Sequence, residues 1–336
     1  MTAISSPARR DSAVLAAESL TRARSVVSPA LDAAVARLCP ALRPAVREHL
    51  AGGGKYVRAG ITLASAAAAG ADDRAGLAGA VAIELVHNFS LVHDDIIDGD
   101  LERRHRPTVW AEHGVGHAII AGDALATLAF QILLEDPTPE RVKAAVRLGE
   151  ATQDMISGQA EDMASELRAS LSVEECLHME AGKTGALLSC AASMGAVLAG
   201  APAPVVEALA DFGRHLGIAF QAIDDVLGIW GEPSVTGKPV GNDLRQHKKS
   251  LPVVIALARG ADLPAGLGSS LQRELTEAEV SRATLVLERC GARQETLAIG
   301  ELQLRAALVS LERVPLAPGP RSELAAIARF VTERDR

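Results

Sequence analysis

Aromatic side chains are scarce: five Phe, two Trp and one Tyr among 336 residues. Sheet cores lean on aromatic and β-branched side chains, so this shortage, together with abundant alanine, speaks against a sheet-dominated fold and for close-packed helices. Cysteine is limited to Cys39, Cys176, Cys190 and Cys290, scattered without metal-ligand spacing, which excludes a disulfide scaffold and a thiolate zinc site and fits a reduced, cytoplasmic protein. Positive charge is not in excess: 34 Lys and Arg face 42 Asp and Glu, for a net charge of −8. A phosphate-backbone partner needs a basic face, so nucleic acid is not an expected ligand. The first ten residues, Met1 to Arg10, lack the apolar centre of a signal peptide, and residues 1–25 are expected to form a flexible tail. The one long uncharged stretch, Thr184 to Val206, is alanine-rich and interrupted by Ser189, Ser193, Gly195, Gly200, Pro202 and Pro204. It reads as a buried bundle helix, not a membrane span.

What the chain does have is apolar residues at helical spacing, 48% hydrophobic overall, enough for a sizeable core. Residues 11–50 read as two helices broken at Pro29, and further helices are expected over 56–70, 72–98, 115–135, 139–166, 173–199, 251–258 and three times beyond about 268. The helix over 72–98 carries Val81, Leu85, Phe89 and Val92 on one face and ends in Asp94, Asp95 and Asp98. Asp94 and Asp98 are four residues apart and therefore share a face. Like charges so placed repel, and aspartates at a helix C-terminus also oppose the macrodipole, so a neutralising partner is expected. Hard carboxylate oxygens suit Mg²⁺, which shares its shell between one or two carboxylates, water and phosphate oxygens. Arg103 and Arg104, just beyond, offer forked donors for phosphate. A second apolar helix ends in Asp224 and Asp225. Two such ends across a bundle would line a mouth able to hold several Mg²⁺ ions around one diphosphate.

Three other segments carry charge in informative places. Gly52, Gly53 and Gly54 open a turn followed by Lys55 and Arg58, either a flexible connector with solvated cations or a phosphate cradle. Lys183 and Thr184 lie between Gly182 and Gly185 inside an apolar helix, which suggests a local break and a lysine that needs a partner, such as a diphosphate. The loop from Thr236 to Lys249 brings Lys238, Lys248 and Lys249 close to Asp224 in sequence. A polar loop from Asp100 to Gly114 looks mobile enough to close over a substrate.

These segments together resemble the trans-polyprenyl diphosphate synthase family from about Gly52 to about Pro252, with two aspartate-rich motifs in these places. The resemblance implies an all-α fold, a single large helical bundle of the isoprenoid synthase type over 26–336 with a central apolar cavity. It implies a Mg²⁺-dependent, head-to-tail condensation of isopentenyl diphosphate with an allylic diphosphate, by a protein that is a homodimer in the family. Asp94, Asp98 and Asp224 would be the metal ligands. Lys55, Arg58, His87 and Arg104 would hold isopentenyl diphosphate, while Arg103, Lys183, Thr184, Lys238 and Lys248 would serve the allylic diphosphate and Gln221 would orient its allylic group. Two positions depart from the family: Ala59 stands where a proline is usual, and Gly228 where the second motif usually ends in an aspartate. The second departure implies a weaker grip on metal or substrate. It keeps open a weakly active partner subunit; a class I terpene cyclase, which would also ionise an allylic diphosphate, is a second alternative. The retained cations and the isopentenyl site speak against both.

The chemistry so implied is electrophilic alkylation, in which metal ions and cations take up the charge of the leaving diphosphate. The allylic cation must be kept from water by an apolar pocket. No side-chain general base stands out, so the released diphosphate is expected to take the proton. Phe89, five residues before Asp94, is the first large side chain along the expected tail path, and Ser90 beside it is small. An aromatic ruler there predicts a short product, C20 first and C15 next.

Overall fold

The computed structural model describes residues 7–166, 168, 170–232, 240–264, 267 and 275–333. The fold is all-α, as the sequence requires. Fifteen α-helices are found among the described residues: α1 (Pro7–Val35), α2 (Arg43–Ala51), α3 (Val57–Ala68), α4 (Leu77–Ile97), α5 (Val109–His113), α6 (Val115–Leu134), α7 (Pro139–Glu166), α8 (Val173–Glu180), α9 (Ala186–Leu198), α10 (Ala203–Trp230), α11 (Asn242–Arg245), α12 (Leu251–Ala258), α13 (Glu277–Arg289), α14 (Ala292–Ser310) and α15 (Pro318–Thr332). A 3₁₀ turn (Asp73–Gly76) precedes α4, and a π-helical turn (Ala181–Gly185) joins α8 to α9.

Two compact units divide the chain: one of Met1–Thr152, Cys190–Ala210 and Ser310–Phe330, the other of Gln153–Ser189, Asp211–Val309 and Val331–Arg336. In the first unit α3, α4, α6 and α9 pack closely because small residues face one another. A Cβ added at Gly195 would lie 2.1 Å from the Thr62 carbonyl oxygen, and one at Gly79 would meet the Met194 sulfur at 2.7 Å. The Thr62 hydroxyl donates to the Ala191 carbonyl at 3.0 Å, so the crossing of α3 and α9 is stitched as well as packed. In the second unit α8 and α10–α14 share one apolar cluster, which includes Cys176, Ile229, Leu244, Leu251, Val280 and Leu287.

Several expectations are corrected. No break occurs at Pro29, which lies inside α1. A proline within a helix costs about 3 kcal/mol. Burial of Ala16, Leu20, Ala23, Val27, Leu31 and Ala34 along one side of α1 offsets that cost. Residues 7–25, assigned above to a tail, are part of the same helix. The segment after α4 is not a plain loop: Glu102–Arg103 and Arg106–Pro107 form a two-stranded antiparallel hairpin, with Arg103 opposite Arg106. Its tip, Arg104 and His105, has φ of 54° and 60°. Two positive φ values match the twist of a two-residue hairpin, but without glycine each left-handed residue costs about 1–2 kcal/mol. The second aspartate pair is not at a helix end, because α10 continues six residues past Asp224 to Trp230. The break at Lys183 takes the form of the π-helical turn.

Three stretches are long and apolar enough to cross a membrane by length and composition, namely Arg74–Ile97, Val115–Leu134 and Val173–Leu198. The first and third bury 61% of their most apolar window within the protein and α6 only 39%, so of these three α6 exposes the most apolar surface.

Candidate active site

In the first unit, burial of Val81, Leu85, Phe89 and Val92 fixes the face that α4 turns inward. The last turn of the helix then sets out the first aspartate-rich segment. Asp94 and Asp98 are half-buried one turn apart, with the Asp98 N–H donating to the Asp94 carbonyl at 2.8 Å. Asp95 points the other way, fully buried, and accepts from Arg103 Nε at 2.7 Å. Burial pushes its carboxyl up to about 6 against the pull of that guanidinium. Arg103 therefore ties the hairpin to α4 besides presenting charge.

Arg104, at the hairpin tip, reaches back to the glycine turn: its Nη1 lies 3.5 Å from where a Cβ on Gly54 would sit. Arg58, in the first turn of α3, brings Nη1 to 3.4 Å from His87 Nε2. Burial, then Arg58 and Arg104, hold the His87 imidazole well below its usual value and therefore neutral. Lys55 is exposed, its ammonium 5.7 Å from the centre of the Phe330 ring. The sequence-predicted residues Lys55, Arg58, His87, Arg103 and Arg104 thus gather in one unit with Asp94 and Asp98. Two residues not foreseen join them. Glu84 is buried and accepts the Ala59 N–H at 3.2 Å; burial raises its pKa and Arg58 opposes the rise. His49 bonds Asn88 Oδ1 at 3.1 Å and is lowered to about 4 by burial, Arg103 and Arg104. A carboxylate buried in the apolar run of α4 demands a partner, a signal that could have singled out Glu84; His49 gave none.

In the second unit the π-helical turn is wedged between two glycines. A Cβ at Gly158 of α7 would lie 2.4 Å from the Lys183 nitrogen, and one at Gly217 of α10 would lie 2.4 Å from the Gly185 Cα. The turn so held presents Lys183, whose Nζ donates to Asp162 Oδ2 at 2.6 Å. Asp162 lies 21 residues before Lys183, a pairing that no local spacing marks. Thr184 donates to Gln221 Oε1 at 2.8 Å, and Gln221 Nε2 donates to Asp225 Oδ1 at 2.8 Å. The other Asp225 oxygen accepts the Leu251 N–H at 2.7 Å. Gln221 is therefore oriented from both ends of its amide. Glu180, behind this chain, is buried, and burial and then Asp225 raise its pKa well above the usual carboxylate range. Asp224 and Lys248 are half-buried in the same unit, and Lys238 lies outside the described residues. Lys249, in contrast, is buried, its Nζ donating to the Ser165 carbonyl at 2.7 Å and to the Arg168 carbonyl.

The sequence model of the polyprenyl synthetase family matches residues 40–285. The chain belongs to that family. It is 42% identical over 329 residues to a (2E,6E)-farnesyl diphosphate synthase of Mycobacterium tuberculosis, covering 93% of this chain and 91% of the relative. It is 39% identical over 331 residues to a geranylgeranyl diphosphate synthase of the same species, covering 94% and 93%. The crystal structure of a polyprenyl synthetase from Streptomyces coelicolor superposes with a TM-score of 0.88 at 45% identity, over 94% of this chain and 98% of that one. The chain is a prenyltransferase that forms short-chain prenyl diphosphates, of farnesyl or geranylgeranyl type.

Family members of this kind generally need Mg²⁺, and the donor set here fits it. Asp94 and Asp98 offer hard oxygen donors from one face, and Mg²⁺ completes its shell with water and diphosphate oxygens, so a closed protein cage is not required. Glu48, Glu112 and His113 also bring ligand atoms within 4.8 Å of one another, but all three are exposed and none is a predicted ligand.

Proposed function

We propose that the chain condenses isopentenyl diphosphate with an allylic diphosphate in a Mg²⁺-dependent reaction, with geranylgeranyl diphosphate (C20) as main product and farnesyl diphosphate (C15) next. The observation that carries this reading is the gathering of Arg58, Arg103, Arg104 and two neutral imidazoles beside the Asp94 and Asp98 carboxylates. That is an anion site next to a divalent-cation site. Asp94, Asp98 and Asp224 would hold Mg²⁺, which supplies Lewis-acid stabilisation of the diphosphate leaving group when bound. Arg103, Lys183, Lys238 and Lys248 hold the allylic diphosphate and take up its charge as the carbon–oxygen bond breaks. Thr184 and Gln221, locked together by their hydrogen bond, would orient the allylic group. Lys55, Arg58, His87 and Arg104 hold isopentenyl diphosphate, and the released diphosphate accepts the proton. An apolar shaft keeps water from the cation and receives the growing tail.

Phe89 supports the short product. It is 9% exposed and stacks edge-on with His93, ring centres 4.9 Å apart, and His93 in turn fills the space over Gly122. A side chain so supported stands against a longer tail. Purified protein incubated with Mg²⁺, isopentenyl diphosphate and each allylic starter should give C20 and C15 products, and Phe89→Ala should lengthen them. Unchanged product length would remove the ruler, while absence of any condensation would refute the proposed activity. The outward apolar side chains Val115, Ile119 and Ile120 of α6 support a homodimer in which a second copy covers them, checked by light scattering. Four free cysteines support a reducing, cytoplasmic setting.

A further inference from the structure

Behind the Thr184 and Gln221 pair lies a buried carboxyl group that the reaction described above does not use. Glu180, the last residue of α8, is 5% exposed, and Cys176, one turn before it, is fully buried. The Cys176 thiol donates to Glu180 Oε1 at 3.6 Å, a weak bond. Glu180 Oε2 receives no donor among the described residues. The Glu180 side chain nonetheless shares a hydrogen bond with the carboxyl group of Asp225. Two carboxyl groups can share a hydrogen bond only when one of them carries a proton.

The other hydrogen bonds decide which one. Asp225 Oδ1 accepts from Gln221 Nε2 at 2.8 Å, and Oδ2 accepts the Leu251 N–H at 2.7 Å at the start of α12. Each of these bonds favours the charged form of Asp225. Glu180 has only the thiol, so the shared proton belongs to Glu180. The groups facing it are Cys176 on its own helix, Asp225 on α10 and Asp162 on α7; burial and these neighbours together favour its neutral form. An ionised Asp225 can only accept, so Gln221 must turn its NH₂ group to it. That leaves Gln221 Oε1 to accept the Thr184 hydroxyl at 2.8 Å. The direction of every bond in the chain is thus set from the Glu180 end.

We infer that Glu180 is a positioning residue for the allylic site: as a carboxylic acid it donates a hydrogen bond to Asp225, and through Asp225 it fixes the Gln221 amide and the Thr184 hydroxyl. The inference rests on the reading above in which Thr184 and Gln221 orient the allylic group. Glu180 closes the third side of a cradle whose other two sides are the Gln221 amide and the Leu251 N–H. Without it the Asp225 carboxylate is free to turn about its own bond, and the Gln221 amide turns with it. A side chain of similar volume that lacks a donor fills the space and leaves the cradle open, whereas glutamine restores the donor as an amide N–H. The need is therefore for a donor, not for a negative charge.

The test compares E180Q, E180M, Q221A and the double variant E180M/Q221A with the unaltered full-length chain. Condensation of isopentenyl diphosphate with an allylic diphosphate is measured at saturating Mg²⁺, with rates taken per folded molecule by circular dichroism. E180M should lower kcat about 10-fold, less than the roughly 100-fold that a full ångström of misplacement costs. Its KM for isopentenyl diphosphate should stay within about twofold, and E180Q should restore kcat to within about threefold. In the Q221A background E180M should add nothing further, because both act through the same amide. Infrared difference spectra of the unaltered protein against E180Q should show the carbonyl stretch of a protonated carboxyl group lost in the variant, a readout independent of turnover. Equal kcat in E180M and E180Q, additive losses in the double variant, or no such band each overturn the inference. If Q221A is impaired in any of these cases, the reading of Thr184 and Gln221 still stands. A Q221A variant with unchanged kcat overturns both together.

Discussion

Gly217→Ala tests whether the π-helical turn under Lys183 and Thr184 is positioned by the absence of a side chain. The added Cβ would be 2.4 Å from the Gly185 Cα and 3.0 Å from its nitrogen, both backbone atoms that cannot rotate aside. Ordinary carbon contacts begin near 3.5 Å, so the turn and α10 must separate by about 1 Å. Thr184 and Gln221 hold a 2.8 Å hydrogen bond across this same gap, and that shift would stretch it beyond bonding distance. Overpacking of this kind costs about 1–3 kcal/mol, less about 1 kcal/mol recovered because alanine favours helix over glycine. The net loss of stability is therefore about 0–2 kcal/mol, whereas a displacement of about 1 Å beside the reacting group can cost about 100-fold in rate. The experiment pairs urea unfolding with kcat/KM for the allylic substrate. Gly149→Ala is the control, because its Cβ would meet only the Phe130 ring at 3.8 Å, an ordinary contact. If Gly217→Ala keeps its turnover as Gly149→Ala should, the glycine wedge has no part in holding the turn.

Other expectations follow from the same geometry. Lys249→Met should cost about 1.5–3 kcal/mol, since a buried ammonium bonded to the carbonyls of Ser165 and Arg168 at the end of α7 is lost, and chemical unfolding measures this directly. His49 has a folded pKa of about 4 against an ordinary 6.5, so the unfolded chain binds the proton more readily between those values. Its contribution is complete above pH 6.5 and falls away as pH drops toward 4, by up to about 3 kcal/mol; the stability difference between the unaltered protein and His49→Gln should shrink over that window, and a pH-independent difference would contradict the assignment. Asp162→Asn removes the partner that holds Lys183 at 2.6 Å and should raise KM for the allylic substrate more than it lowers kcat. His105→Gly relieves a left-handed residue at φ 60° and should raise the unfolding midpoint slightly, by about 1 kcal/mol or less in stability.

Much of the site was legible in the chain because its signals are local. Asp94 and Asp98 had to share a face of α4 by helical spacing alone, and the glycines flanking Lys183 and Thr184 marked the break that became the π-helical turn. Composition gave the all-α class, since alanine and glycine in place of aromatics leave close helix crossings as the way to fill a core, as at Gly195 against Thr62. Pro29 misled because a local propensity of about 3 kcal/mol was weighed without the burial that opposes it. Tertiary structure alone decided partners distant along the chain: Asp162 for Lys183, Asn88 for His49, Arg103 for Asp95, and Asp243 for the space over Gly228. Helical periodicity fixes the direction of a side chain relative to its own axis. What that side chain meets depends on which helices cross there and how closely, and this is set by packing between segments that no sequence spacing records.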